Sequence, residues 1–111
     1  MLIVDSNNNI KLTRGDTAIL TLSVTRNGSA YDFSSDLVQF TVKRNTVTED
    51  ILIQKTFNGT SITINPSDTK NLQYTNLKYD VQIITNTNKV YTVITPKDFI
   101  ITEEVNFDVE R

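Results

Sequence analysis

Apolar and polar positions alternate along most of this chain with a period of two, the pattern of strands that bury one face and wet the other. Residues 17–26 set Ala18, Leu20, Leu22 and Val24 on one side and Thr21, Ser23 and Thr25 on the other. Residues 37–44 align Val38, Phe40 and Val42 against Gln39, Thr41 and Lys43, and residues 78–85 align Tyr79, Val81 and Ile83. Near the start, Ile10 and Leu12 alternate with Lys11 and Thr13. Weaker strand patterns cover residues 51–57, 61–64, 90–95 and 99–102, with Pro96 expected to part the last two. Asn27-Gly28 and Asn58-Gly59 read as hairpin turns, because both residue types tolerate positive φ. Arg14-Gly15-Asp16, Asn7-Asn8-Asn9 and Asn86-Thr87-Asn88 read as further turns.

One helical turn is expected over residues 65–72. Asn65 can cap it, Pro66 suits the first helical position, and Asp68 stands where a capping carboxylate belongs. The predicted order is strands, one helical turn near 66–72, then strands. Seven or eight short antiparallel strands, with turn signals about every 8–12 residues, predict an all-β fold and specifically an immunoglobulin-like β-sandwich. The turn precedes the strand of Tyr79, much as a short turn precedes the tyrosine-corner strand in such sandwiches.

Composition sharpens this picture. The chain has 111 residues, enough for one domain over 1–111. Thr, Ile, Val, Tyr and Phe make up 48 of them, whereas alanine occurs only at Ala18 and Ala30. There is no histidine, cysteine or tryptophan. An imidazole base, a thiol nucleophile, a disulfide framework and a thiolate zinc site are therefore excluded, as are the cysteine pair and core tryptophan of antibody domains. The net charge of −2 is too balanced for an acidic tail and wrong in sign for a nucleic-acid binder. Lys43-Arg44 is the only adjacent basic pair. No apolar run nears the roughly 20 residues a membrane helix needs, and the start lacks a secretory pattern. No membrane or nucleic-acid partner is expected.

Candidate chemistry is sparse. Arg14-Gly15-Asp16 matches an adhesion tripeptide but is also ordinary turn chemistry. Glu49-Asp50 and Glu103-Glu104 are adjacent carboxylates, and neighbours on an extended chain point to opposite faces, so neither pair converges as a catalytic set. Asp32 and Asp36 flank Phe33-Ser34-Ser35 without a calcium-loop pattern. Asn27-Gly28-Ser29 and Asn58-Gly59-Thr60 are formal glycosylation sequons, read as turns. No catalytic residue, metal ligand or cofactor site is assigned. Of the tyrosines at 31, 74, 79 and 91, Tyr79 is expected in the core and Tyr74 is the best exposed contact candidate. Residues 1–9 read in two ways. Leu2, Ile3 and Val4 are either an apolar arm for a partner, followed by asparagines, or this domain's own first strand. Residues 103–111 are expected to be a loose C-terminal tail or a stub that continues into a partner or a longer chain.

Several segments together carry a resemblance. They are Ile10–Thr17 leading into Leu20–Val24, Asn27–Phe33, Val38–Arg44, Pro66–Leu72, and Lys78–Ile83 before Lys89–Val93. Over residues 10–102 this resembles the immunoglobulin-like N-terminal domain of phage baseplate upper proteins and related small virion proteins. There a (K/R)-G-D-T turn opens a Leu/Val strand, a G-x-x-Y-D hairpin follows, and a late Y-D-V-Q strand pairs with a V-Y-T-V-like one. The resemblance implies a non-enzymatic structural or assembly module of tail, baseplate or head periphery. Such a module contacts other virion proteins, forms homo-oligomers in the particle, and helps anchor fibres or receptor-binding parts. It implies a place in the virion after assembly in the bacterial cytoplasm. Stopping at 111 residues departs from baseplate upper proteins, which continue into further regions. A carbohydrate-binding or adhesion module is the alternative, and a glycan-acting enzyme ranks behind both.

Overall fold

The computed structural model describes residues 1–103. Among them are ten strands and one helical turn: β1 (Leu2–Val4), β2 (Ile10–Thr13), β3 (Ala18–Thr21), β4 (Thr25–Arg26), β5 (Ser29–Ala30), β6 (Leu37–Lys43), β7 (Ile51–Thr56), β8 (Ser61–Ile64), α1 (Pro66–Thr69), β9 (Asn76–Ile84) and β10 (Val90–Thr102). The chain is all-β apart from α1, as its alternation predicts. Residues 104–111 of the expected tail lie outside the described residues.

Six strands form one sheet in the order β1-β2-β10-β9-β6-β7, while β3-β8 and β4-β5 form two-stranded units. Two expectations are corrected here. The described residues form ten strands rather than seven or eight, because the N-terminal residues and the Asn27-Gly28 hairpin contribute short ones. The pairing is also not wholly antiparallel, since β2 runs parallel to β10, with Ile10 opposite Phe99 and Leu12 opposite Ile101.

The core lies between the six-stranded sheet and β3-β8. Ile10, Leu12, Val38, Phe40, Val42, Leu77, Tyr79, Val81, Ile83, Phe99 and Ile101 come from the sheet. Ala18, Ile62 and Ile64 come from β3 and β8. On β6 and β9 every second residue is buried, so the period-two reading of those strands translates directly into the inner face. Phe40, Tyr79 and Phe99 pack as tilted and edge-on rings, with centroids 5.2–6.3 Å apart.

Three local readings change. The strand expected over 17–26 divides into β3 and β4, with Leu22–Val24 outside either ladder. Leu22 nevertheless keeps its core position and donates its N–H to the Thr60 carbonyl at 2.8 Å. Pro96 does not end a strand. β10 runs through it, and register shifts between Thr92 and Ile94 and between Ile94 and Lys97 absorb the missing N–H. Asn58-Gly59 forms its turn, with Gly59 at φ +66°. The turn closes as a hairpin turn does, with Asn58 and Ser61 an antiparallel bridge, but it passes the chain from β7 in one sheet to β8 in the other. Asn27 (φ +54°) and Gly28 (φ +80°) close the β4-β5 hairpin as expected.

α1 is shorter than the predicted 65–72. Its start is held by the Asp68 carboxylate, which accepts the Asn65 N–H at 2.7 Å and pairs with Lys55 Nζ at 2.8 Å. The turn exists to place Thr69. That side chain is fully buried, and its Oγ1 accepts the Gly15 N–H at 2.8 Å, tying the β2–β3 corner to the segment before β9.

Candidate functional site

Leu2, Ile3 and Val4 pair with Leu12, Lys11 and Ile10 as an edge strand of this domain's own sheet. Leu2 packs on the core, whereas Ile3 and Val4 are 51% and 46% exposed. The loop after β1 is organised by Asp5. Its carboxylate accepts the N–H groups of Asn7 (2.8 Å) and Asn9 (2.9 Å), which hold it below the usual carboxylate range. This loop turns the Asn8 carbonyl inward, where the Tyr79 hydroxyl donates to it. Tyr79 is thus in the core as expected, but its hydroxyl reaches the N-terminal loop, 71 positions away in the chain. Burial pushes its phenol up to about 12.

Tyr74 is 42% exposed. The Arg14 guanidinium lies 4.3 Å above its ring, donates to its hydroxyl at 2.9 Å, and donates to the Leu72 carbonyl at 3.1 Å. The adhesion-like tripeptide is therefore built into a corner. Arg14 clasps Tyr74, Gly15 is buried at φ +85° against Thr69, and Asp16 pairs with the Met1 amino group.

The remaining tyrosines form a site that the linear pattern did not single out. Tyr31 and Tyr91 flank a cleft of about 220 Å³, lined also by Val24, Arg26, Ile83 and Val93. Tyr91 is 49% exposed. The Tyr31 hydroxyl donates to Asp36 at 2.5 Å, and that bond holds the Tyr31 phenol above its usual range. Asp32 accepts the Ser34 N–H at 2.9 Å, so both carboxylates of this loop serve local hydrogen bonds. Only packing of the segment after the β4-β5 hairpin beside the start of β10 brings positions 31 and 91 together, a long-range relation that spacing does not encode.

The outer face of the large sheet is polar. Gln39, Thr41, Lys43, Gln54, Asp80 and Gln82 border a shallow groove of about 260 Å³. Burial raises the Asp80 carboxyl, and nearby Lys43 partly opposes the shift. Gln54 donates to Thr41 at 3.2 Å across the strands. Glu49 and Asp50 are exposed in the β6–β7 loop. Among the described residues no three His, Cys, Asp or Glu side chains group together as metal ligands would, and no helix is long and apolar enough to cross a membrane. The geometry offered is that of binding surfaces: an aromatic cleft, a polar sheet face and strand edges that carry no further strand among the described residues.

Comparison with protein-family models, curated proteins and solved structures finds no match to the chain.

Proposed function

We propose that this chain is a non-enzymatic structural or assembly module of a phage particle, an immunoglobulin-like sandwich that works through contacts with other virion proteins and with copies of itself. One observation carries the reading. The segments that bear the resemblance fall in order on successive elements of a single all-β fold. The Arg14–Thr17 turn opens β3, and the Asn27-Gly28 hairpin leads to Tyr31-Asp32. Tyr79–Gln82 on β9 lies in the same ladder as Val90–Thr92 on β10. The strand order supports the sandwich part of the reading, with β3 beside β8 in one layer and β10-β9-β6-β7 in the other. The parallel pairing of β2 with β10 fits the same arrangement.

The test is occurrence in particles. An antibody against the chain, applied to purified particles from cells that carry the gene, labels them at a tail, baseplate or head periphery. Mass spectrometry of those particles finds the chain in multiple copies. Its absence from every particle fraction overturns the proposal.

The Tyr31–Tyr91 cleft favours a second reading, carbohydrate binding, because two aromatic faces over an apolar floor suit a sugar ring. Binding on a glycan array that Tyr91→Ala abolishes supports it, and an array with no bound glycan sinks it.

A further inference from the structure

The Tyr31–Tyr91 cleft holds a charge that no described residue answers. Arg26, the last residue of β4, lines the cleft beside Thr25, Tyr31 and Tyr91, over an apolar floor that includes Ile83 and Val93. Among the described residues its guanidinium enters no ion pair and no side-chain hydrogen bond. The two carboxylates of the loop after the hairpin are engaged elsewhere, Asp36 with the Tyr31 hydroxyl and Asp32 with the Ser34 N–H. Neither lines the cleft.

The backbone nevertheless fixes Arg26 at this place. It stands opposite Ser29 in the β4-β5 ladder, closed by the Asn27-Gly28 turn. Its charge reaches the Tyr31 phenol: the bond to Asp36 holds that phenol up, Tyr91 adds to the rise, and Arg26 opposes it. The guanidinium and the two phenol oxygens therefore gather at one mouth, above the apolar floor.

Size and chemistry limit the occupant. About 220 Å³ is less than the roughly 300–1,000 Å³ of sites that enclose drug-sized ligands, so the cleft has room for one six-membered ring and not for an extended peptide. Tyrosine faces and aliphatic side chains accept the C–H face of such a ring. Phenol hydroxyls and Thr25 offer hydrogen bonds to its edge. A guanidinium presents its N–H donors as a fixed fork that matches a carboxylate. A pyranose that bears a carboxylate supplies an apolar face, a hydroxyl edge and an anion together. A neutral sugar leaves Arg26 unanswered, and a flat aromatic acid leaves the hydroxyls unanswered.

We propose that the cleft selects an acidic sugar, a pyranose of the uronic-acid class, with its ring against Tyr31 and Tyr91 and its carboxylate on the Arg26 fork. This inference rests on the carbohydrate reading of the cleft and adds the class of sugar and the residue that chooses it.

NMR titration of the full chain tests it. The probes are the methyl β-glycosides of glucuronic and galacturonic acid, each against its neutral parent glucoside or galactoside. The members of each pair differ only at the carbon that bears the carboxylate. At least one uronide is expected to shift the Arg26, Tyr31 and Tyr91 signals and to bind at least tenfold more tightly than its neutral parent. That advantage shrinks as salt is added. Arg26→Gln abolishes the preference, and Arg26→Lys keeps only part of it, because the charge remains and the fork is lost. Neutral sugars that bind as tightly as the uronides overturn the proposal and leave the carbohydrate reading standing, as does a preference that survives Arg26→Gln. Benzoate that binds as tightly as the uronides overturns it by showing that the site reads an aromatic acid. Binding of neither uronide overturns it too, and a blank glycan array then marks the failure of the carbohydrate reading itself.

Discussion

Tyr79 shows how much one side chain joins. Its ring completes the aromatic cluster with Phe40 and Phe99, and its hydroxyl ends on the Asn8 carbonyl. Tyr79→Phe keeps the ring and loses the bond, so it should cost about 1 kcal/mol and lower the melting temperature by a few degrees. The phenol also sets a pH response. Its folded value is pushed up to about 12, while an unfolded tyrosine ionises near 10. Its stabilisation is complete below pH 10 and declines as pH rises toward 12, because only the unfolded chain releases the proton there. Thermal melts across that window should show a shallower decline for Tyr79→Phe. Asp80 has a raised folded value as well, so its stabilisation is present when protonated and lost as pH climbs from about 4. Asp80→Asn should raise the melting temperature at pH 7 and change it little at pH 3. The burial of Tyr79 was legible from alternation with Val81 and Ile83. The hydroxyl's partner was not, since it depends on an asparagine loop closing over a strand 71 positions away.

At the scale of elements, corners depend on single polar atoms. Thr69→Val keeps the shape of a buried residue but strands the Gly15 N–H, and should cost about 1–3 kcal/mol in denaturant melts, more than Thr69→Ser. Asp68→Ala removes both the Asn65 cap and the Lys55 ion pair. It should cost about 1 kcal/mol, with Lys55→Ala costing less because the backbone bond survives. The capping residues of α1 and the two-residue β4-β5 hairpin were readable because such signals act over three or four neighbours. Pro96 misled because its effect depends on sheet context. A missing donor ends a ladder in a regular strand, but at a register shift it costs little. Similarly, Asn58-Gly59 specifies a turn but not whether the strands it joins share a sheet.

For the whole molecule, the all-β class followed from composition and alternation, whereas the partition of strands between layers did not. Turn chemistry is local, and strand order is set by which apolar faces meet. The same limit applies to the surfaces. The Tyr31–Tyr91 cleft exists only after the elements assemble, so no motif announced it. The parallel β2-β10 pairing has a further consequence, in time rather than in space. It joins residues 10–13 to residues 99–102, so almost the whole chain must be made and ordered before it can form. Leu12→Ala, at a fully buried position, should cost about 3 kcal/mol and act mainly by speeding unfolding, with the refolding rate nearly unchanged in stopped-flow chevrons. During synthesis Ile10 and Leu12 have only β1 to pair with, and their other side waits, apolar and uncovered, until β10 leaves the ribosome. The interval in which this protein is most prone to aggregate is set by the length of chain between its first core strand and its last.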